Sequence, residues 1–178
     1  VLDTSDLKLV ELQAHLHAAV MGTPVHEMMV VDVFSFGFKY GAPIDADIVF
    51  DVRFLPNPFY VRDLRATTGM EPACATYVMD SPIARSFMET FRDLILSLIP
   101  YYGKEGKGRL TIGIGCTGGQ HRSVAVAEEL GRQLAQRGVR SQVRHREITD
   151  RKLAVESGLY PDDAGDECDT DGKSEDNE

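Results

Sequence analysis

Residues 110–124 read LTIGIGCTGGQHRSV, and their grammar decides the fold. An apolar, β-type run over 110–114 breaks at Thr117, Gly118 and Gly119, and a helical pattern begins with His121, Arg122 and Ser123. Glycine reaches positive φ without a Cβ penalty, so the two glycines let the chain bend sharply. The first N–H groups of a helix lack internal partners and carry the positive end of its dipole, so the turn presents free amides to a phosphate or carboxylate. Arg122 can add a bidentate fork, and Thr117 and Ser123 supply hydroxyls. The same stretch also holds Cys116, five residues, Arg122 and Ser123, the spacing of the cysteine-phosphatase loop. Two function classes therefore share one loop.

Working outward, the pattern alternates strand and helix. Strands are expected at 28–36 (MMVVDVFSF), 48–54 (IVFDVRF), 110–114 and 140–146. Ser81 and Pro82 open a helix running to about residue 101, and a second runs over 121–137 with Gly138 as its C-cap. Residues 62–79 read as loop with one helical turn near 71–77. This order argues for an α/β fold, a mostly parallel sheet with flanking helices and ligands at the carboxyl ends of its strands. Residues 7–20 form a further helical stripe after caps at Asp3, Thr4 and Ser5, and Val1 and Leu2 resemble the end of a strand. Residues 1–24 are therefore expected to close a preceding domain, 28–153 to form the main domain, and 154–178 to be a disordered acidic tail.

Charge is unevenly placed. The formal net charge is −9, but residues 161–178 carry nine Asp or Glu against one Lys, which leaves the first 160 residues close to neutral. Seven basic residues gather between Arg132 and Lys152, a basic edge beside the acidic tail. The three cysteines, Cys74, Cys116 and Cys168, show no CxxC pair or zinc spacing, so a reducing, cytoplasmic setting without metal is expected. No stretch approaches 18 consecutive apolar residues, and no membrane association is expected.

A second polar constellation lies in FGFKYGAPIDADIVFDVRFLPNP, residues 36–58. Lys39, Asp45, Asp47, Asp51, Arg53 and Asn57 are too many polar groups for an ordinary apolar strand pair. Singly, each reads as a structural pair or a solvated charge. As a set they read as ligand groups, with Lys39 and Arg53 neutralising a phosphate and Asp45 or Asp47 taking sugar hydroxyls or an amine.

GCTGGQHRS together with SFGFKYGAPIDADIVFDVRFLPNP resembles the carboxy-terminal half of the RapZ family, also called YvcJ-type nucleotide-binding proteins. The resemblance covers roughly residues 1–153. It implies a domain similar to a phosphofructokinase subdomain that senses a phosphorylated amino sugar such as glucosamine 6-phosphate, binds RNA and forms homo-oligomers. In the family such a domain serves an RNase adapter that presents small regulatory RNAs to an endonuclease. Carried over by position, the ligand loop is Cys116, Thr117, Gly118, Gly119, Gln120, His121, Arg122 and Ser123, joined by Lys39, Tyr40, Asp45, Asp47, Arg53 and Asn57. The RNA face would comprise Arg144, Arg146, Arg151 and Lys152. The family's amino-terminal domain binds ATP and GTP through a Walker loop and hydrolyses them weakly; no GxxxxGK[ST] occurs in these 178 residues, so no such hydrolysis, no catalytic residue and no cofactor is expected of them. Three features depart from the adapter-type members: Tyr40 replaces a histidine, Gln120 replaces a frequent lysine, and an acidic tail follows the basic segment.

Two alternatives remain open on the residues. A phosphatase would use Cys116 as a thiolate lowered by the helix N-terminus, but Gly115 stands where such enzymes usually carry a histidine and no general-acid aspartate is assured. RNA binding through the basic edge would proceed by shape and backbone, since aromatic stacking platforms are nearly absent there.

Overall fold

The computed structural model describes residues 29–148. The expected helix at 7–20, the preceding-domain remnant, the tail, Arg151, Lys152 and Cys168 lie outside the described residues.

Four strands, β1 (Val30–Gly37), β2 (Ile48–Asp51), β3 (Arg109–Cys116) and β4 (Arg140–His145), form one sheet in the order β2-β3-β1-β4, and every pairing is parallel. Three helices accompany them: α1 (Pro72–Met79), α2 (Pro82–Lys104) and α3 (Arg122–Gln136). This is the α/β architecture expected from the alternating pattern. Boundaries move by at most three residues, the largest shifts being the end of β2 at Asp51 rather than 54 and the end of α2 at Lys104 rather than about 101. The helical turn expected near 71–77 is a full α1, started by Pro72 at its first turn, where a missing N–H costs nothing. Ser81 caps α2 as expected, its Oγ accepting from the Ala84 N–H at 3.2 Å.

Because side chains alternate along a strand, each strand feeds two faces. Val31 and Val33 of β1, and Leu110, Ile112, Ile114 and Cys116 of β3, all buried, join Val126, Leu130 and Leu134 of α3 and Phe91 and Ile95 of α2 in one core. Phe50 of β2 meets Phe91 and Phe87 at ring-centroid distances of 4.6 and 5.4 Å. The opposite face carries Phe34 and Phe36 of β1, which lie level with Gly113 and Gly115 of β3.

Topology explains where the helices sit. The connections β2 to β3 and β3 to β4 step across the sheet in the same direction, so right-handed crossovers place their helices on one face. The connection β1 to β2 steps the other way and belongs on the opposite face. There Phe38 and Pro43 of that connection pack against the glycine side of β3: a Cβ on Gly115 would lie 2.5 Å from the Phe38 ring, and one on Gly113 would lie 3.2 Å from Pro43. At the carboxyl ends of the neighbouring strands β1 and β3 the chain therefore departs to opposite faces, which opens the crevice where α/β sheets place ligands. No helix of the described residues is long and apolar enough to cross a membrane.

Candidate functional site

The crevice is lined by the two chain exits. Gly37 ends β1 and packs backbone to backbone on the turn after β3, since a Cβ at Gly37 would sit 2.7 Å from the Gly118 carbonyl carbon and 2.9 Å from the Gly119 nitrogen. Gly119 has φ +71°, so the turn needs glycine there. Space beside Gly118 is open, with no atom within 4 Å of a Cβ built on it. His121 stands at the N-cap of α3 without any side-chain cap bond, so Arg122, Ser123 and Val124 begin a helix whose first-turn amides have no intrahelical acceptor.

Neighbouring segments hold this turn in place. The Lys39 N–H donates to the Thr117 carbonyl at 3.1 Å, which ties the β1–β2 connection to the loop. The Gly69 N–H donates to the Gln120 carbonyl at 2.8 Å, and any Cβ on Gly69 would collide with the His121 carbonyl. His121 Nε2 lies 3.2 Å from the Arg65 carbonyl. Burial pushes the His121 pKa down, against backbone hydrogen bonds at Arg65 and Thr67 that favour its charged form. Residues 65–69, read from sequence as loop without a role, thus form one wall; Gly69 was the available signal, a glycine with no turn pattern around it.

Arg122 differs from the solvent-facing fork that the sequence suggests. It is buried, and its Nη1 donates to the carbonyls of Arg53 at 2.6 Å and Leu55 at 3.3 Å, while Nη2 reaches Thr117 Oγ1 at 3.4 Å. It clamps the segment after β2 onto the loop. Thr117 itself is exposed. Cys116 is buried in the core, its Sγ 3.1 Å from the fully buried Ser123 Oγ. Both described cysteines, Cys74 and Cys116, are free thiols.

The 36–58 constellation is divided by the structure. Lys39 and Tyr40 sit exposed in a short 3-10 turn (Phe38–Tyr40) beside the crevice, the Lys39 Nζ 5.9 Å from the Tyr40 ring centre. Arg53 contributes its carbonyl to Arg122, but its guanidinium forks onto Asp51 and covers the Phe38 ring at 4.6 Å. The Arg53 hydrogen bonds keep the Asp51 carboxyl below the usual range. Asn57 caps the 3-10 turn Pro58–Tyr60 through Phe59 N–H. Asp47 binds Lys107 and accepts the Thr111 N–H at 3.0 Å. Burial opposes ionisation of Asp47, yet these two partners outweigh it and lower its pKa. Thr111 precedes Cys116 by five residues, about 17 Å along a strand, so Asp47 secures the β2 entry rather than the crevice. Asp45 is exposed, and no contact of the described residues joins it to the loop.

The basic edge is likewise partly internal. Arg144 is exposed with its guanidinium 5.0 Å from the Phe34 ring. Arg146 donates to the Gly37 and Gly41 carbonyls at 3.1 and 3.0 Å and pairs with Glu147, stitching the end of β4 to the β1 exit. His145, which the sequence sets between Arg144 and Arg146 as a further group to meet an RNA stem or its loop, is instead buried between Ser35 Oγ at 2.9 Å and Glu128 at 2.8 Å. Among the described residues no group of His, Cys, Asp and Glu has a metal-binding arrangement.

Comparison with known proteins gives the family. A family model described as the RapZ C-terminal domain matches residues 29–149. A nucleotide-binding protein of Caldicellulosiruptor bescii is 49% identical over 148 residues, covering 83% of this chain and 51% of that protein. One of Limosilactobacillus reuteri shows the same identity and coverage. Another, of Brevibacillus brevis, is 52% identical over 133 residues, covering 74% of this chain and 44% of that protein. The chain spans about half the length of the curated relatives it matches. By this match, and by the loop and crevice that carry the resemblance read from its sequence, the chain belongs to the RapZ family, of which residues 29–149 are the C-terminal domain.

Proposed function

We propose that this domain is a regulatory binding module that holds a phosphorylated amino sugar, such as glucosamine 6-phosphate, at residues 116–123 and passes its occupancy to an RNA or protein partner. One observation carries the reading: the N-terminus of α3, which no side chain caps, follows a glycine turn whose Gly118 side is open, at the crevice where β1 and β3 send the chain to opposite faces. Lys39 supplies an exposed cation beside it, and Arg122 acts by holding the loop's shape. The nucleotide-binding name of the relatives enters as the expectation that the whole protein binds ATP or GTP through a domain preceding this one. A cytoplasmic homo-oligomer is the expected context, and the exposed Ile44, Val49 and Phe54 offer apolar surface for assembly. The phosphatase reading loses support because the Cys116 sulfur is buried in the core and not offered to a substrate.

Calorimetric titration with glucosamine 6-phosphate, against inorganic phosphate and UDP-N-acetylglucosamine, tests the proposal. Saturable binding that survives Cys116→Ser is expected. Phosphate release that vanishes in Cys116→Ser would overturn it in favour of the phosphatase. For the partner, Arg151→Ala with Lys152→Ala should weaken RNA binding and flatten its salt dependence while leaving metabolite binding intact. Unchanged RNA affinity would remove RNA as the partner of this edge.

A further inference from the structure

Glu147 follows Arg146 just beyond β4 and has only 7% of its surface exposed. Its Oε1 accepts from Arg146 Nε at 2.8 Å, but its Oε2 is buried with no hydrogen-bond partner among the described residues. That oxygen is packed against Gly119, where a Cβ would collide with it. A carboxylate oxygen removed from water and left without a donor is costly, and native proteins rarely keep one without a reason. The glycine turn it packs against is the surface on which a ligand could bring the missing donor to it. The same turn borders the open space beside Gly118 and the free amides of α3.

These facts conflict with a site built for a bare anion. The amides of the turn favour negative charge, whereas a carboxylate beside them repels it. Both are accommodated by a ligand that carries an anion and a hydrogen-bond donor close together. We propose that Glu147 is a specificity-determining residue of the loop, its Oε2 accepting an N–H or O–H of the bound phosphate ester, so that the site prefers such an ester to inorganic phosphate. This deepens the function proposed above and rests on it.

Glu147→Gln is the discriminating variant. Because Arg146 donates to the Oε1 position, the amide oxygen settles there and the NH2 group occupies the place of Oε2, turning an acceptor into a donor with little change in volume. In the unaltered protein, glucosamine 6-phosphate should bind at least tenfold more tightly than inorganic phosphate. In Glu147→Gln that ratio should shrink at least tenfold, with inorganic phosphate binding as well as before or better, and with the unfolding midpoint recorded alongside. Glucose 6-phosphate, run in parallel, assigns the donor: a loss confined to the amino sugar identifies the ammonium, and a loss shared by both esters identifies a hydroxyl. An unchanged ratio, or equal weakening for esters and inorganic phosphate, would overturn the role of Glu147. If the unaltered protein binds phosphate and both esters alike, the anion site stands and this inference fails; if it binds none of them, both fail.

Discussion

The two faces of the sheet are built from the same strands by opposite means. On the helix side Val31, Val33, Leu110, Ile112 and Ile114 meet α2 and α3, and side-chain volume comes from every strand. On the other side Phe34 and Phe36 supply the volume, and Gly113 and Gly115 make the room that lets Phe38 and Pro43 of the β1–β2 connection approach. Phe36 and Phe38 meet edge to face with centroids 4.8 Å apart. The difference separates duties: the helix side provides stability, while the glycine–aromatic side sets where Lys39 and the β1 exit stand relative to the Gly118–Gly119 turn.

Ile112→Ala should break the first side hardest. It leaves a cavity among buried neighbours and should cost about 2–5 kcal/mol in denaturant unfolding, with anion affinity nearly unchanged in the folded fraction. Gly115→Ala attacks the second side. The new methyl would lie 2.6 Å from the Phe36 ring and closer still to Phe38, so a destabilisation of about 1–3 kcal/mol is expected. Here anion affinity should also fall, because Phe38 precedes Lys39; unchanged affinity would show that the two sides do not divide in this way. Arg122→Ala should cost a similar amount, about 1–3 kcal/mol, since it strands the buried carbonyls it now satisfies. A fully stable Arg122→Ala would return Arg122 to the role of a free ligand fork.

Smaller effects sharpen the comparison. The His121 pKa is lowered in the folded state, so the unfolded chain binds more protons at acid pH. Its contribution to stability is fully present above about pH 6.5, the ordinary histidine value, and is lost as pH falls below it. A His121→Asn variant should flatten that part of a stability–pH profile. Arg144→Ala removes an exposed cation over Phe34 and should change stability by less than about 1 kcal/mol.

Much of the site's chain was legible. The switch from a period of two to a helical period at Thr117, with two glycines between, named both the parallel α/β plan and the glycine turn between β3 and α3. Partners were not legible, because sequence states which charges exist and not which acceptors surround them. Arg122 reads as a ligand fork until the chain returns past β2 and places the carbonyls of Arg53 and Leu55 against it. Asp47 reads as a sugar ligand and Asn57 as a ligand group until Lys107 and the Phe59 N–H claim them. The wall at residues 65–69 carries no periodicity at all, and its place follows from contact with His121.

By itself, then, the sequence determined most of the elements, their parallel pairing and the glycine turn before α3, since these follow from side-chain period, glycine and helix polarity, all local properties of the chain. Only the tertiary structure decided which charges remain free at the crevice. It left Lys39 exposed, paired the exposed Arg53 with Asp51, turned Arg122 and Arg146 onto backbone carbonyls 67 to 109 residues away in the chain, and packed an unpaired Glu147 oxygen against Gly119. The physical reason is that burial and hydrogen-bond partnership are set by segments distant in sequence, which a local pattern does not encode.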